Sequence, residues 1–293
     1  MRGKILKGVG GFYYVLAEDG VRYECRARGI FRKDGAKPLV GDEVRIDVID
    51  AEAAEGSIAE LLPRKSALIR PEAANLDQAL LVFSFTAPDP NPLILDRFLI
   101  MLKRQEIPCI LLFNKRDLVK NEEAEALLKA YERAGAIHVE GICAREEGAA
   151  EKLGGLLRGK SSWLAGPSGV GKTTILNRLC PSAKAETGEI SKKLRRGKNT
   201  TRHSELFPIE GGGYLCDTPG FTSLELYGTE AEEICNEYPE FSEYAGSCRF
   251  RDCMHIREPG CAVREAAESG AIPMLRYRSY CSIYEKEKEK SRY

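Results

Sequence analysis

The stretch Gly166-Pro167-Ser168-Gly169-Val170-Gly171-Lys172-Thr173 constrains this chain more than any other feature, because it fits the spacing G-x-x-x-x-G-K-[ST]. Apolar Trp163-Leu164-Ala165 precedes it, and Ile175, Leu176 and Leu179 follow at helical spacing. That is the strand–loop–helix context the motif requires. The glycines let successive backbone N–H groups turn towards phosphate oxygens. The helix that begins near Gly171 adds the positive end of its dipole. Lys172 is expected to reach the β- and γ-phosphates, and the Thr173 hydroxyl, followed by Thr174, to enter a Mg²⁺ shell. A chance glycine-rich turn is the plainer alternative, and the flanking pattern argues against it. The stretch reads as a nucleotide triphosphate site.

At 293 residues the chain is too long for one small core, and about two or three domains are expected. Lys+Arg and Asp+Glu balance at 44 each, so bulk charge points to no nucleic-acid partner; a local patch would have to supply one. No run approaches the ~18 apolar residues of a membrane span, and Met1-Arg2-Gly3-Lys4 lacks an apolar signal core. A cytoplasmic, monomeric protein without membrane contact is expected. In that setting ten cysteines favour metal ligands and buried thiols over disulfides.

Residues 1–66 read as short strands. Phe12–Leu16 and Val21–Cys25 flank a turn at Glu18-Asp19-Gly20, and Val44, Ile46 and Val48 alternate with charged residues after Gly41-Asp42. About five strands in this length predict a small barrel of the oligonucleotide-binding (OB) type. Arg22, Arg26, Arg28, Arg32 and Lys33 with neighbouring aromatics form a candidate RNA face. A solvated strand face is the alternative, and the acidic neighbours Glu18, Asp34 and Asp42 keep it open.

Residues 67–224 alternate strands with helices. Ala79–Phe83 and Cys109–Phe113 are continuous apolar runs, as in strands buried on both faces. Asn91-Pro92 starts a helix carrying Leu95, Phe98, Leu99 and Leu102; a further helix is predicted over Glu123–Ala134 and a strand over Ile137–Ile142. Leu206–Ile209 and Tyr214–Cys216 form a hairpin about Gly211-Gly212-Gly213.

Asn114-Lys115-Arg116-Asp117 follows a buried strand at its carboxyl end, where open α/β sheets bind ligands. The Asp117 carboxylate can accept from both guanine N1–H and the 2-amino group, a donor pair that adenine lacks. A site built on such pairs rejects the analogue without them. Asn114 should buttress the loop and reach the base, and the Lys115 stem can cover the ring. Cys143-Ala144 stands where a backbone N–H would meet the guanine oxygen. Asp217-Thr218-Pro219-Gly220 fits D-x-x-G, with Asp217 holding Mg²⁺ through water and Gly220 sensing the γ-phosphate. Thr200 and Thr201 are candidates for the first switch, and Thr201 is preferred. The basic run Lys192–Lys198 upstream is either a solvated loop or a phosphate contact.

These motifs occur in an unusual order: base motif, phosphate loop, then D-x-x-G. The simplest account is a circular permutation of one α/β sheet, rejoined through roughly residues 145–160. The second switch then runs directly into residues 225–293, and a relay along that link is expected. That last segment is expected to be mostly helical. Its Cys248-x₄-Cys253-x-His255-x₅-Cys261 supplies a tetrahedral Zn²⁺ set with no open position. Cys25, Cys109, Cys180 and Cys216 lie in apolar runs and read as core. Tyr277, Tyr280 and Tyr284 share a helical face that reads as packing rather than base stacking. The Glu/Lys alternation over Glu285–Arg292 reads as a solvated helix end.

With these parts assembled, the chain resembles the ribosome small-subunit-dependent GTPase A (RsgA, YjeQ-like) family over nearly its whole length. The specific matches are Asn114–Asp117, Gly166–Thr174, Asp217–Gly220 and Cys248–Cys261, with Glu258-Pro259-Gly260-Cys261-Ala262-Val263 among them. The resemblance implies GTP hydrolysis, a role in late maturation of the small ribosomal subunit, and rRNA contacts by both flanking domains. It also implies a His just before the Thr pair; this chain has Asn199 there, with His203 beyond the pair. Phe221 follows D-x-x-G where a water-orienting Gln is used in Ras-like enzymes. Intrinsic hydrolysis is therefore expected to be slow, with His203 as a candidate water-positioning group and an exposed loop His as the alternative. A nucleotide-gated RNA-binding assembly module with incidental turnover is the competing function. A P-loop ATPase or kinase is a third, which Asp117 disfavours.

Overall fold

A computed structural model describes residues 1–27, 37–68, 72–181, 183, 204–217, 226 and 228–290. Two compact units divide the chain: Met1–Leu80, Ala144–Ala165 and Lys172–Gly220 form the first, and Leu81–Cys143, Gly166–Gly171 and Phe221–Tyr293 the second.

The first unit opens with β1 (Arg2–Val9), β2 (Phe12–Ala17), β3 (Arg22–Ala27), β4 (Glu43–Asp50) and β5 (Glu55–Leu61). β1–β2, β2–β3, β4–β5 and β1–β4 pair antiparallel and β3–β5 pair parallel, which closes the barrel. Alternation drives the closure. In β4, Val44 and Ile46 are buried while Glu43 and Arg45 are exposed, and the inward set Ile5, Val15, Tyr23, Cys25, Val44, Ile46 and Ile58 fills the interior. Asp42 departs from the expected solvated face: it is fully buried, and Arg64 grips both its oxygens at 2.7 and 2.8 Å. A short hairpin, β6 (Ala67–Leu68) with β7 (Ala73–Ala74), leads on to β8 (Gln78–Ser84).

The same unit holds α3 (Ala149–Leu157), β11 (Ser161–Ala165), α4 (Lys172–Leu179), β12 (Glu205–Pro208) and β13 (Tyr214–Asp217). β13 pairs parallel with β11 and antiparallel with β12, and β12 pairs with β1 of the barrel. Beside β11 lie the first residues of β8: Asp77 N–H donates to Ser161 O at 2.8 Å and Gln78 Nε2 to Ser162 Oγ at 3.0 Å.

In the second unit, β9 (Cys109–Asn114) lies between β8 and β10 (His138–Gly141), with β9 and β10 parallel. Every residue of β8 and β9 is buried, as their unbroken apolar runs require. α1 (Pro92–Arg104) starts where Pro92 takes the first position and Asn91 Oδ1 accepts from Leu93 N–H at 3.0 Å. α2 (Asn121–Tyr131) is about a turn shorter at its C-terminal end than the helix predicted from the sequence. The C-terminal part has 3₁₀ turns at Ala231–Glu237 and Pro239–Phe241, then α5 (Ser242–Ala245), α6 (Ala262–Glu268) and α7 (Met274–Lys290). Tyr277, Tyr280 and Tyr284 pack there with Tyr238, Phe241 and Ile283. The run Glu285–Arg292 is not wholly solvated: Glu287 is buried and pairs with Arg97 at 2.9 Å.

Candidate functional site

In the second unit the base motif and the phosphate loop are built against each other. Asn114 ends β9 buried, and its Nδ2 donates to Val170 O at 2.8 Å. The fit is close enough to dictate the neighbour. A Cβ on Gly171 would lie 2.2 Å from that nitrogen, and a Cβ on Gly166 would lie 2.0 Å from Val82 O. Both glycines also have positive φ, +105° and +135°, which side-chain-bearing residues rarely adopt.

Lys115 takes a left-handed conformation at φ +63°. Its Nζ donates to Gly169 O at 2.8 Å and to Ala87 O, so the stem bridges to the phosphate loop. Arg116 N–H bonds Ile142 O at 3.0 Å and Ile142 N–H bonds Phe113 O at 2.8 Å, which fixes the segment just before Cys143. The Arg116 guanidinium turns to Asn121 Oδ1 at 2.6 Å and Val119 O at 3.3 Å. These contacts make it a brace for the loop. Asp117 stands exposed on the 3₁₀ turn Arg116–Leu118, open to a ligand. Ser168 and Gly169 are exposed, Pro167 and Cys143 half-buried.

In the first unit Lys172 opens α4 and Asp217 closes β13. Burial pulls the Lys172 ammonium below the usual lysine value, and the Asp217 carboxylate opposes that shift. A lysine so placed has a charge to give to an incoming anion. Thr173 is exposed, Thr174 half-buried and Ala144 buried. Thr200, Thr201, His203, Gly220 and Phe221, with Arg28, Arg32, Lys33 and the Lys192–Lys198 run, lie outside the described residues, as does the link expected to relay from D-x-x-G.

Cys248, Cys253, His255 and Cys261 converge, with all their ligand atoms within 4.8 Å of one another. His255 Nδ1 lies 3.5 Å from Cys248 Sγ and 3.4 Å from Cys261 Sγ. A tetrahedron with metal–sulfur bonds near 2.3 Å and metal–nitrogen bonds near 2.0–2.1 Å has nitrogen–sulfur edges of about 3.5 Å, so the donors fit a bound metal ion. All ten cysteines are free thiols, and Cys25, Cys109, Cys180 and Cys216 are buried as core.

The support around the metal-ligand set was not legible as a motif. The Glu258 carboxylate accepts from the N–H groups of Met254, Ile256 and Arg257 at 2.9–3.0 Å, Tyr277 OH donates to His255 O at 2.7 Å and Tyr280 OH to Met254 O. Glu258 does lie within the resemblance segment, and a carboxylate beside Pro-Gly was the available signal. Arg276 gave none.

Residues 61–227 match the family model described as RsgA GTPase, and residues 2–58 the one described as RsgA N-terminal domain. The chain is 45% identical over 303 residues, covering 100% of both chains, to a protein of Agathobacter rectalis named small ribosomal subunit biogenesis GTPase RsgA. It is 46% identical over 291 residues, 98% of both chains, to one of the same name from Geobacillus sp.. Among solved structures it is similar to YloQ, a circularly permuted GTPase, at TM-score 0.75 and 35% identity over 99% of this chain and 95% of the other. It is also similar to YjeQ from Thermotoga maritima, at TM-score 0.76 and 32% identity over 98% of each.

Proposed function

The chain belongs to the RsgA family of circularly permuted GTPases, and from that premise we propose that it hydrolyses GTP to GDP and phosphate in the late maturation of the small ribosomal subunit. The observation that carries this is the Asn114–Val170 bond, which ties a guanine-reading motif to a phosphate loop. Asp117 reads the base edge, while Asn114, Lys115 and Arg116 shape its loop and the Cys143-Ala144 backbone meets the guanine oxygen. Residues Gly166, Pro167, Ser168, Gly169, Val170 and Gly171 wrap the phosphates with backbone N–H groups, and Lys172, Thr173 and Thr174 complete the grip.

Bound Mg²⁺ would supply charge neutralisation at the β- and γ-phosphates, with the Thr173 hydroxyl and Asp217 as the residues that would hold it. Lys172 places its ammonium where negative charge grows in the transition state. Thr201 and Gly220 report the γ-phosphate, and His203 orients water. The Cys248, Cys253, His255 and Cys261 set holds one structural Zn²⁺. The chain divides into an OB-like barrel (1–66), the permuted GTPase domain (67–224) and a zinc-binding domain (225–293). It acts as a cytoplasmic monomer on the small subunit and its rRNA, which stimulates hydrolysis. Among the described residues no helix is long and apolar enough to cross a membrane.

GTP turnover with and without isolated small subunits tests the proposal. Stimulation by the subunit is expected; equal rates favour the alternative, an assembly module with incidental turnover. Phe221 in the water-orienting position is the observation on that side.

A further inference from the structure

One acidic residue outside every motif joins the barrel to the ladder that carries Asp217. β1 bulges between Ile5 and Lys7, and a bulge re-aims the side chains beyond it. Past the bulge, Lys7 stands opposite Glu205 of β12 in antiparallel register, with Nζ 2.7 Å from Oε2. Arg22 of β3 brings Nη2 to 3.7 Å from Oε1. On its other side Glu205 is the register partner of Asp217. In sequence it closely follows Thr201 and His203.

Glu205 is 9% exposed, and a carboxylate so little hydrated is held where its cations hold it. Antiparallel partners sit ~4.5–5.5 Å apart and share a hydrogen-bonded ladder. A displaced Glu205 therefore carries Asp217 with it.

We propose that Glu205 is a positioning residue for GTP hydrolysis: gripped by Lys7 and Arg22 of the barrel, it sets where Asp217 stands. The barrel then governs the rate without touching the nucleotide. This rests on the role proposed above for Asp217.

The test measures kcat and KM for GTP, and GDP affinity, in the full-length chain carrying Glu205→Gln or the pair Lys7→Met and Arg22→Met. Each is expected to lower kcat about five- to tenfold, at the low end of usual site-to-site couplings, with KM and GDP affinity within about twofold. All three substitutions together are expected to be no worse than either set alone, since one contact carries the effect. Arg45→Met removes an exposed pair with Glu60 at 3.4 Å elsewhere on the barrel and leaves kcat unchanged.

Wild-type kcat in folded Glu205→Gln protein overturns the proposal. So does a lowered melting temperature with unchanged kcat per folded molecule, which assigns a structural role alone. If the barrel pair does not fold, Glu205→Gln decides by itself. Asp217→Asn, run in parallel, separates the premises: wild-type hydrolysis in that variant brings down the role of Asp217 and the proposal with it.

Discussion

Two junctions in this molecule use the same chemistry, basic side chains on carboxylates, to opposite ends. Where β1 meets β12, Lys7 and Glu205 keep side-chain exposures of 19 and 12% and Arg22 36%. Where α7 meets α1, Arg276 and Asp96 are at 2 and 0% and Glu240 at 4%. Arg276 Nε lies 2.7 Å from Glu240 Oε1, and Nη1 contacts Asp96. Tyr238 OH donates to Asp96 Oδ2 at 3.1 Å, and the guanidinium stacks 4.5 Å from the Tyr238 ring. The second junction is the drier of the two, and a partner lost there is the harder to replace. The barrel contact is thus adjustable, whereas the α1–α7 contact is a fixture. One guanidinium against two buried carboxylates also leaves the second junction with excess negative charge.

The largest effect expected on the C-terminal side comes from emptying the proposed metal site at Cys248, Cys253, His255 and Cys261. Chelation, or Cys261→Ser, removes a contribution on the order of 10 kcal/mol. Amide exchange across 228–290 should then rise to the level of an unfolded segment while the barrel stays protected. Uniform exchange in both regions would break the contrast.

Next comes Arg276→Met, which strands two buried carboxylates and should cost about 3–5 kcal/mol in urea unfolding. Asp96→Asn should cost less, because Glu240 then pairs with Arg276 one to one. Burial raises the Asp96 pKa, and Arg276 opposes that without cancelling it. The folded state therefore holds the Asp96 proton more tightly than the unfolded chain does. Stability from this group is fully present below the ordinary aspartate value and is lost as pH rises through the raised one. Urea midpoints measured upward from about pH 4 should show that decline in the wild type and not in Asp96→Asn.

The smallest stability effect belongs to the barrel: Lys7→Met should shift unfolding by about 1 kcal/mol, because Arg22 still faces Glu205. A loss comparable to that of Arg276→Met would erase the distinction between the junctions.

What the sequence made legible was local. Ala79–Phe83 and Cys109–Phe113 are apolar without interruption because both faces are covered, and the cysteine–histidine spacing forecast a set of donors that does converge. Periodicity also identified the tyrosine face of α7. β1 escaped notice because its alternation breaks at the Ile5/Lys7 bulge, so that its pattern matches neither period. The charged junctions escaped for another reason: Arg276 lies 180 residues from Asp96 and Glu205 lies 198 from Lys7. A charge run such as Glu285–Lys290 reads as solvated, and nothing local marks Glu287 as the member that turns inward to Arg97. The spacings of Asn114–Asp117 and Gly166–Thr173 are local features, but the bond from Asn114 to Val170 that joins the two segments spans 56 residues of sequence.

Asp117 tests the central claim most directly, because it is the residue proposed to carry the base selectivity and stands exposed without a structural duty in the core. Equilibrium binding of GTP and XTP should be measured for the wild type and for Asp117→Asn. The wild type should favour GTP by about a hundredfold or more, and the variant, with its acceptor pair replaced by an amide, should reverse towards XTP with the fold unchanged. A folded Asp117→Asn protein that keeps the wild-type preference would contradict a guanine site assembled from the permuted motifs.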